Sequence, residues 1–306
     1  MTDQPAPPGG RAGGHGPRLT ANLPHPRRMT GTAATSPDHT YQPPGERAWL
    51  SLAAAMMVPV SDETAAVEIP ADDPRAVELV LAVHGGDADA IRRLLAEDPR
   101  LARAGLVDRK GGFRSLLHLV ADWPGYFPNG PQIVHLLIEA GADPSFRHPT
   151  RCDETALHWA ASSDDVDVAA ALIDGGADID VPGGSIGTPL ANAVGYGCWH
   201  VARLLAARGA RIGSLWEAAG LGDQVKVDEF LTADPPPASS EIDAAFWQAC
   251  HGGQRRMAEY LLAQGADINA SPDYAHQQTA LEAAGAADTR RQALVDWLKE
   301  RGAAQA

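Results

Sequence analysis

From about residue 74 onward, apolar side chains recur at i, i+3 and i+4, as in Ile91/Leu94/Leu95, Val134/Leu137/Ile138, Val227/Phe230/Leu231 and Leu294/Trp297/Leu298. That spacing puts them on one face of a helix. Several of these stretches close on a Gly-Ala pair, at Gly141-Ala142, Gly176-Ala177, Gly209-Ala210 and Gly265-Ala266. Glycine suits a helix end because it adopts the left-handed conformation without a steric penalty. A shorter apolar stretch precedes each, clearest in Thr155-Ala156-Leu157-His158-Trp159-Ala160-Ala161, in Thr188-Pro189-Leu190 and in Thr279-Ala280-Leu281, and weaker at Ser115-Leu116-Leu117-His118 and Gly213-Ser214-Leu215-Trp216. In five units the second small residue of the short stretch lies 11 positions before the first apolar residue of the next: Val83/Leu94, Ala161/Leu172, Val194/Leu205, Ala219/Phe230 and Cys250/Leu261. Each unit therefore predicts a short helix, a tight turn, a second helix and a loop to its successor. One such unit cannot bury its apolar face alone, so the units must stack into a continuous core.

The pattern resembles the ankyrin repeat, whose period is about 33 residues and whose signature is T-P-L-H-x-A. The resemblance covers 74–303 in about seven units; it is strongest over 151–183 and weakest in the first, fifth and seventh units, of which the end units cap the stack. It implies an all-α ankyrin-repeat solenoid of helix-turn-helix units with inter-repeat loops. The whole chain resembles a bacterial group of ankyrin proteins, a likeness that implies no activity. Two departures stand out. The second unit carries about five extra residues in Trp123–Pro131, and the fifth runs into Asp234-Pro235-Pro236-Pro237, where proline predicts a kink or an irregular finger.

Composition changes the picture at the N-terminus. Residues 1–47 are rich in Pro, Gly, Thr and Ala with few large apolar side chains, and are expected to be a disordered leader. Residues 48–73 read as an apolar linker or partial N-terminal cap. Ala48–Val60 has the size of a signal-peptide core, but the segment before it is too long and no A-x-A-like site follows. Met29, Met56 and Met57 are alternative starts. The net charge is −14, and the leader is basic, so the remainder carries about −16. Nucleic-acid binding, which needs Lys and Arg against phosphates, is not expected, whereas a basic protein partner is. No run reaches a membrane span. Three scattered cysteines, Cys152, Cys198 and Cys250, suit a reducing cytoplasmic compartment and a monomeric protein, with an exported effector or envelope protein as the alternative.

Little in the chain suggests catalysis. Cys198 with His200 and Cys250 with His251 lack the ligand spacing zinc requires, and no cofactor or metal is expected. Asp164-Asp165 and Asp72-Asp73 fall where acids cap helices. There is no G-x-S-x-G, P-loop or dinucleotide fingerprint, so no enzyme is expected. The resemblance gives His118 and His158 a structural role, bonding the backbone of the repeat loops. Trp216 and Trp247 are assigned to the same slot in the fifth and sixth units, where they would pack in the core, stacked on each other, or form a ligand-contacting strip.

The resemblance also locates binding positions: the loop before the first helix and the two residues after its paired small residues. In the third unit these are Arg151, Cys152, Glu154, Ser162 and Ser163, and in the fourth Ser185, Gly187, Gly195 and Tyr196. Leu221, His251 and His84 match them in the fifth, sixth and first units, the histidines being either partner contacts or polar helix ends. The insertion adds Trp123, Tyr126 and Phe127 among prolines. Two readings are open for it: an interface anchor or a cover over the first two units.

Overall fold

The computed structural model describes residues 67–304 except 149, 276 and 286–290. The leader 1–47, the apolar run 48–60 and the alternative starts lie outside the described residues. Helices follow in pairs: α1 (Pro74–Gly85) with α2 (Ala88–Glu97), α3 (Leu116–Val120) with α4 (Gly130–Glu139), and α5 (Ala156–Ser162) with α6 (Val166–Asp174). Next come α7 (Pro189–Tyr196) with α8 (Trp199–Ala207), α9 (Leu215–Leu221) with α10 (Gln224–Leu231), α11 (Ser239–His251) with α12 (Arg255–Ala263), and α13 (Ala280–Ala284) with α14 (Gln292–Glu300). Gly141, Gly176, Gly209 and Gly265 close second helices at φ of 100°, 92°, 89° and 98°, a region closed to most residues with a Cβ.

Capping explains where the helices begin. Ser115, Thr155, Thr188, Ser214 and Thr279 each accept a backbone N–H of the first turn through the side-chain oxygen. Asp87, Asp165 and Asp223 do the same for α2, α6 and α10. Asp164 caps across units: its Oδ1 accepts from the backbone of His200 (3.0 Å) and Val201 (2.9 Å) at the start of α8. Asp73 caps α1 through the N–H of Arg75. Asp73, Asp164 and Asp165 are thus accounted for by helix ends, and Asp72 pairs with Arg109 at 3.5 Å.

Neighbouring units are latched by one repeated bond. His118 Nε2 donates to the Glu154 carbonyl at 2.9 Å, and His158 Nε2 to that of Gly187 at 3.1 Å. In both cases the acceptor immediately precedes the N-cap of the next first helix. The other ring nitrogen, Nδ1, is then the acceptor, taking hydrogen bonds from Ser115 Oγ in His118 and from Thr155 N–H and Oγ1 in His158. Burial holds both imidazoles below their ordinary pKa, which keeps them neutral. Trp247 reproduces the latch with a different side chain: its Nε1–H donates to the Gln278 carbonyl at 2.8 Å, again one residue before a cap.

Trp216 does not share that slot. In the fifth unit the cap Ser214 sits one residue closer to the turn, so the third helical position is Glu217, whose carboxylate accepts from the N–H groups of Gly213 and Ser214. Burial pushes the Glu217 pKa up against the lowering effect of those bonds. Trp216 is half-buried and makes no ring contact with Trp247, so the expected stack is absent. The proline tract forms an irregular, mostly exposed connection. Only residues 232–238 separate α10 from α11, and α11 is the longest first helix at 13 residues.

A small sheet joins the first two units. β1 (Glu68–Pro70) lies parallel to β2 (Gly105–Val107), with Ile69 opposite Leu106, and β2 pairs antiparallel with β3 (Phe113–Ser115). Gly105 makes room for Phe113; a Cβ there would lie 1.8 Å from the ring. The buried residues fall into two clusters, one from Ile69 to Ala210 and one from Leu215 to Leu298, with Ile212 against both.

Candidate functional site

The insertion between α3 and α4 is tied down at both flanks. Phe127 stacks on His84 at 4.2 Å with planes 8° apart, and Asn129 Nδ2 donates to the Gly86 carbonyl at 2.8 Å, both at the turn of the first unit. On the other flank the Tyr126 N–H donates to Asp165, and its hydroxyl to the Asp164 carbonyl, at the turn of the third unit. The insertion therefore bridges the turns on either side of its own unit. Phe127 and His84 are spent on that bridge, whereas Trp123 is 79% exposed and Tyr126 58%. The cover reading describes Phe127, while Trp123 and Tyr126 remain largely exposed.

Beside it, the ends of the first helices of units two to four line an open groove of about 230 Å³. It gathers Trp123, Glu154, Ser162, Ser163 and Tyr196, all expected from the sequence, and adds Asp122 and Trp159. The groove is built on hydrogen bonds between units. Glu154 Oε1 accepts from the Ser185 N–H (3.0 Å), Ser185 Oγ (3.2 Å) and Asn192 Nδ2 (3.2 Å). Because Ser185 spends its proton on that carboxylate, the Tyr196 hydroxyl donates to Ser185 Oγ at 3.0 Å. Ser162 Oγ donates to the His158 carbonyl, and Ser163 Oγ to that of Trp159, both at 2.9 Å. These bonds fix the rotamers that shape the rim before any partner arrives.

Trp159 lines the groove although it was not among the positions expected from the sequence. It follows the latch residue His158, packs edge-on against His118 at 5.0 Å, and leaves part of its ring at the groove. Arg114 lies over it with Cζ 6.0 Å from the ring centroid, and its Nη1 pairs with Asp122 at 3.1 Å. A large aromatic directly after a loop-bonding histidine is the signal that could have found it.

The remaining expected positions lie elsewhere. Arg151 is paired to Glu68 of β1 at 3.0 Å. Cys152 is half-buried, with its thiol directed to the Glu154 carbonyl at 3.4 Å. Leu221 is half-buried against the first core cluster. His251 sits between Trp199 (5.5 Å) and Trp247 (5.0 Å), and burial lowers its pKa. Trp247 also meets Tyr274 edge-on at 5.9 Å, so units four to seven carry an aromatic row distinct from the groove. Larger hollows lie elsewhere and are not lined by those positions, among them one of about 560 Å³ at the sheet edge by Glu68 and Val107 and one of about 460 Å³ beside Pro235–Pro237. Among the described residues no group of three or more His, Cys, Asp or Glu side chains is placed to hold a metal ion, and no helix is long and apolar enough to cross a membrane.

Comparison with known proteins agrees with the repeat reading. A family profile described as ankyrin repeats (3 copies) matches residues 117–214, and the single ankyrin repeat profile matches 243–272. No curated protein matches the chain. Among solved structures the chain is similar to the ankyrin repeat domain of Bcl-3, described as a unique member of the IkappaB protein family. That likeness has 24% identity and a TM-score of 0.42, over 72% of this chain and 97% of that one.

Proposed function

Since this chain is an ankyrin-repeat protein, we propose that it acts as a protein-protein interaction module, an adaptor or inhibitor that binds a protein partner across the first-helix ends of units two to four. Ankyrin repeats generally mediate protein-protein interaction. The observation that carries the assignment to this surface is the groove, where side chains from three successive units converge and are held by bonds between those units. Trp123 and Tyr196, 79% and 47% exposed, supply the large, stiff aromatic area that interface anchors use. The net charge of −14 favours a basic partner. No catalytic role is part of this reading. Its setting is the cytoplasm, consistent with Cys152, Cys198 and Cys250 all being free thiols.

A photo-crosslinker tests the surface directly. Placed at Tyr196 it should give a discrete protein adduct in an extract of the native cells, and placed at the exposed Arg203 of α8 it should not. Equal adducts from both sites, or none from Tyr196, would sink the assignment.

A further inference from the structure

We propose that the groove of units two to four is a receptor for a single guanidinium side chain, so that the partner presents an arginine there. The proposal rests on the interaction reading above and names the chemistry it needs. The lining includes Trp123, Trp159 and Tyr196, one aromatic from each of three successive units, and the acids Asp122 and Glu154. An aromatic face attracts a cation through its quadrupole, and a carboxylate alongside completes the site for a positive charge.

Three observations narrow the occupant to arginine. First, the groove is about 230 Å³, below the roughly 300–1,000 Å³ of pockets that enclose a drug-sized ligand, and therefore suited to one side chain. Second, the protein already places a guanidinium at this wall: Arg114 lies over Trp159 while its Nη1 pairs with Asp122 at 3.1 Å. That pairing neutralises Asp122 and leaves Glu154 as the charge for an incoming group. All three hydrogen bonds to Glu154 fall on Oε1, so Oε2 keeps its acceptor capacity. Third, the other basic groups of the adjoining loop are engaged, Arg147 with Asp153 at 3.2 Å and Arg151 with Glu68 at 3.0 Å, so they do not cancel the charge of Glu154. A guanidinium suits the site better than an ammonium because it is planar, weakly hydrated and stacks on aromatic rings.

The test uses the full chain and three synthetic Gly/Ser peptides that carry arginine, lysine or the neutral isostere citrulline at the same positions, titrated by calorimetry. The arginine peptide should bind saturably and the citrulline peptide at least about tenfold more weakly, with lysine between them. Trp123→Ala changes a side chain that is 79% exposed and leaves the core intact; it should weaken the arginine peptide by about three- to thirty-fold. Glu154→Gln should narrow the gap between arginine and citrulline. Citrulline binding as tightly as arginine, lysine binding tighter than arginine, indifference to Trp123→Ala, or no saturable binding would each overturn the proposal. The crosslink separates the two readings. An adduct from Tyr196 without arginine binding refutes the receptor alone, whereas arginine binding through Trp123 without an adduct refutes the protein partner and keeps the receptor.

Discussion

Units one to four and units five to seven solve the same packing problem differently. In the first array both layers stack: α1, α3, α5 and α7 contact in succession, and so do α2, α4, α6 and α8. In the second array the first helices α9, α11 and α13 still pack closely, but α10, α12 and α14 no longer approach one another closely. Val227 is the one buried residue of α10. Polar tethers span the wider layer, Tyr260 to Asp228 at 2.7 Å and Arg255 to the Ala293 carbonyl at 3.3 Å. The first-helix side compensates. Gly220, near the end of α9, lets Gln248 of the sixth unit donate to the Val194 carbonyl of the fourth at 2.7 Å, a contact that skips a unit. A solenoid in which each repeat touches only its neighbours has no such bond. The difference teaches that latch and layer are separable: the loop bond persists, with tryptophan in place of histidine, where the outer layer has loosened.

The strongest way to break the comparison is Trp247→Ala, which removes a buried aromatic and the latch together and should cost about 3–5 kcal/mol. Segment-resolved hydrogen exchange should show protection lost over 215–300 while units one to four keep theirs; a uniform loss would mean that the two arrays are one cooperative body. The companion Trp247→Phe keeps most of the packing and removes the indole donor from the Gln278 carbonyl, which keeps the hydroxyl of Ser271 at 2.9 Å, so it should cost only about 0.5–1.5 kcal/mol. His158→Ala should cost about 2–3 kcal/mol in chemical denaturation, because it strips a buried cap partner and the bond to Gly187 together. Gly220→Ala is milder, about 1–2 kcal/mol, since the new Cβ meets Gln248 and Trp199 at 3.0 Å and one of them must yield. The bond to Val194 should be the one lost, visible as faster exchange at unit four alone.

The smallest effect is a dependence on pH, and it carries a sign for each array. His118 and His158 have folded pKa values below the unfolded 6.5 because burial penalises their charged forms. Between the lowered value and 6.5 the unfolded chain binds more protons, so their contribution is present above about 6.5 and lost as pH falls. Glu217 runs the other way: its folded pKa is above 4.5, so its contribution is greatest at low pH and is lost as pH rises through the folded value. Acidification from 7 towards 5 should loosen units two and three in hydrogen exchange before the cap of the fifth. Prior loss at Ser214 and Glu217 would contradict this ordering.

The helix pairs were legible in the sequence because burying one face of each helix imposes a fixed interval between apolar positions, and the glycine ends because φ near 90° admits little else. The histidine slot was legible only through the resemblance to the ankyrin motif. The rest depends on three-dimensional contact. Strands of three residues are too short to show alternation, so the sheet through Ile69 and Leu106 had no pattern to reveal it. The assignment of Trp216 to the latch followed the distance to the second helix, whereas the cap Ser214 sets the register at the other end, one residue away. The groove was half legible: Glu154, Ser162, Ser163 and Tyr196 followed from the resemblance and Trp123 from the insertion, but Trp159 sits within a helix where periodicity reads it as core. That His84 and Phe127 stack depends on a loop folding back across a unit, which no local spacing encodes.

The central claim is that a partner engages the groove of units two to four, and saturation binding of the protein crosslinked at Tyr196 tests it most directly. The comparison is between the wild type, the double variant Trp123→Ala/Tyr196→Ala, and Val225→Asp on α10, a residue 67% exposed and outside the groove. The account predicts at least a tenfold weaker Kd for the double variant, roughly the loss of 1.4 kcal/mol or more expected for aromatic anchors, and no change for Val225→Asp. Equal affinity for the double variant and the wild type, or a loss confined to Val225→Asp, would contradict it.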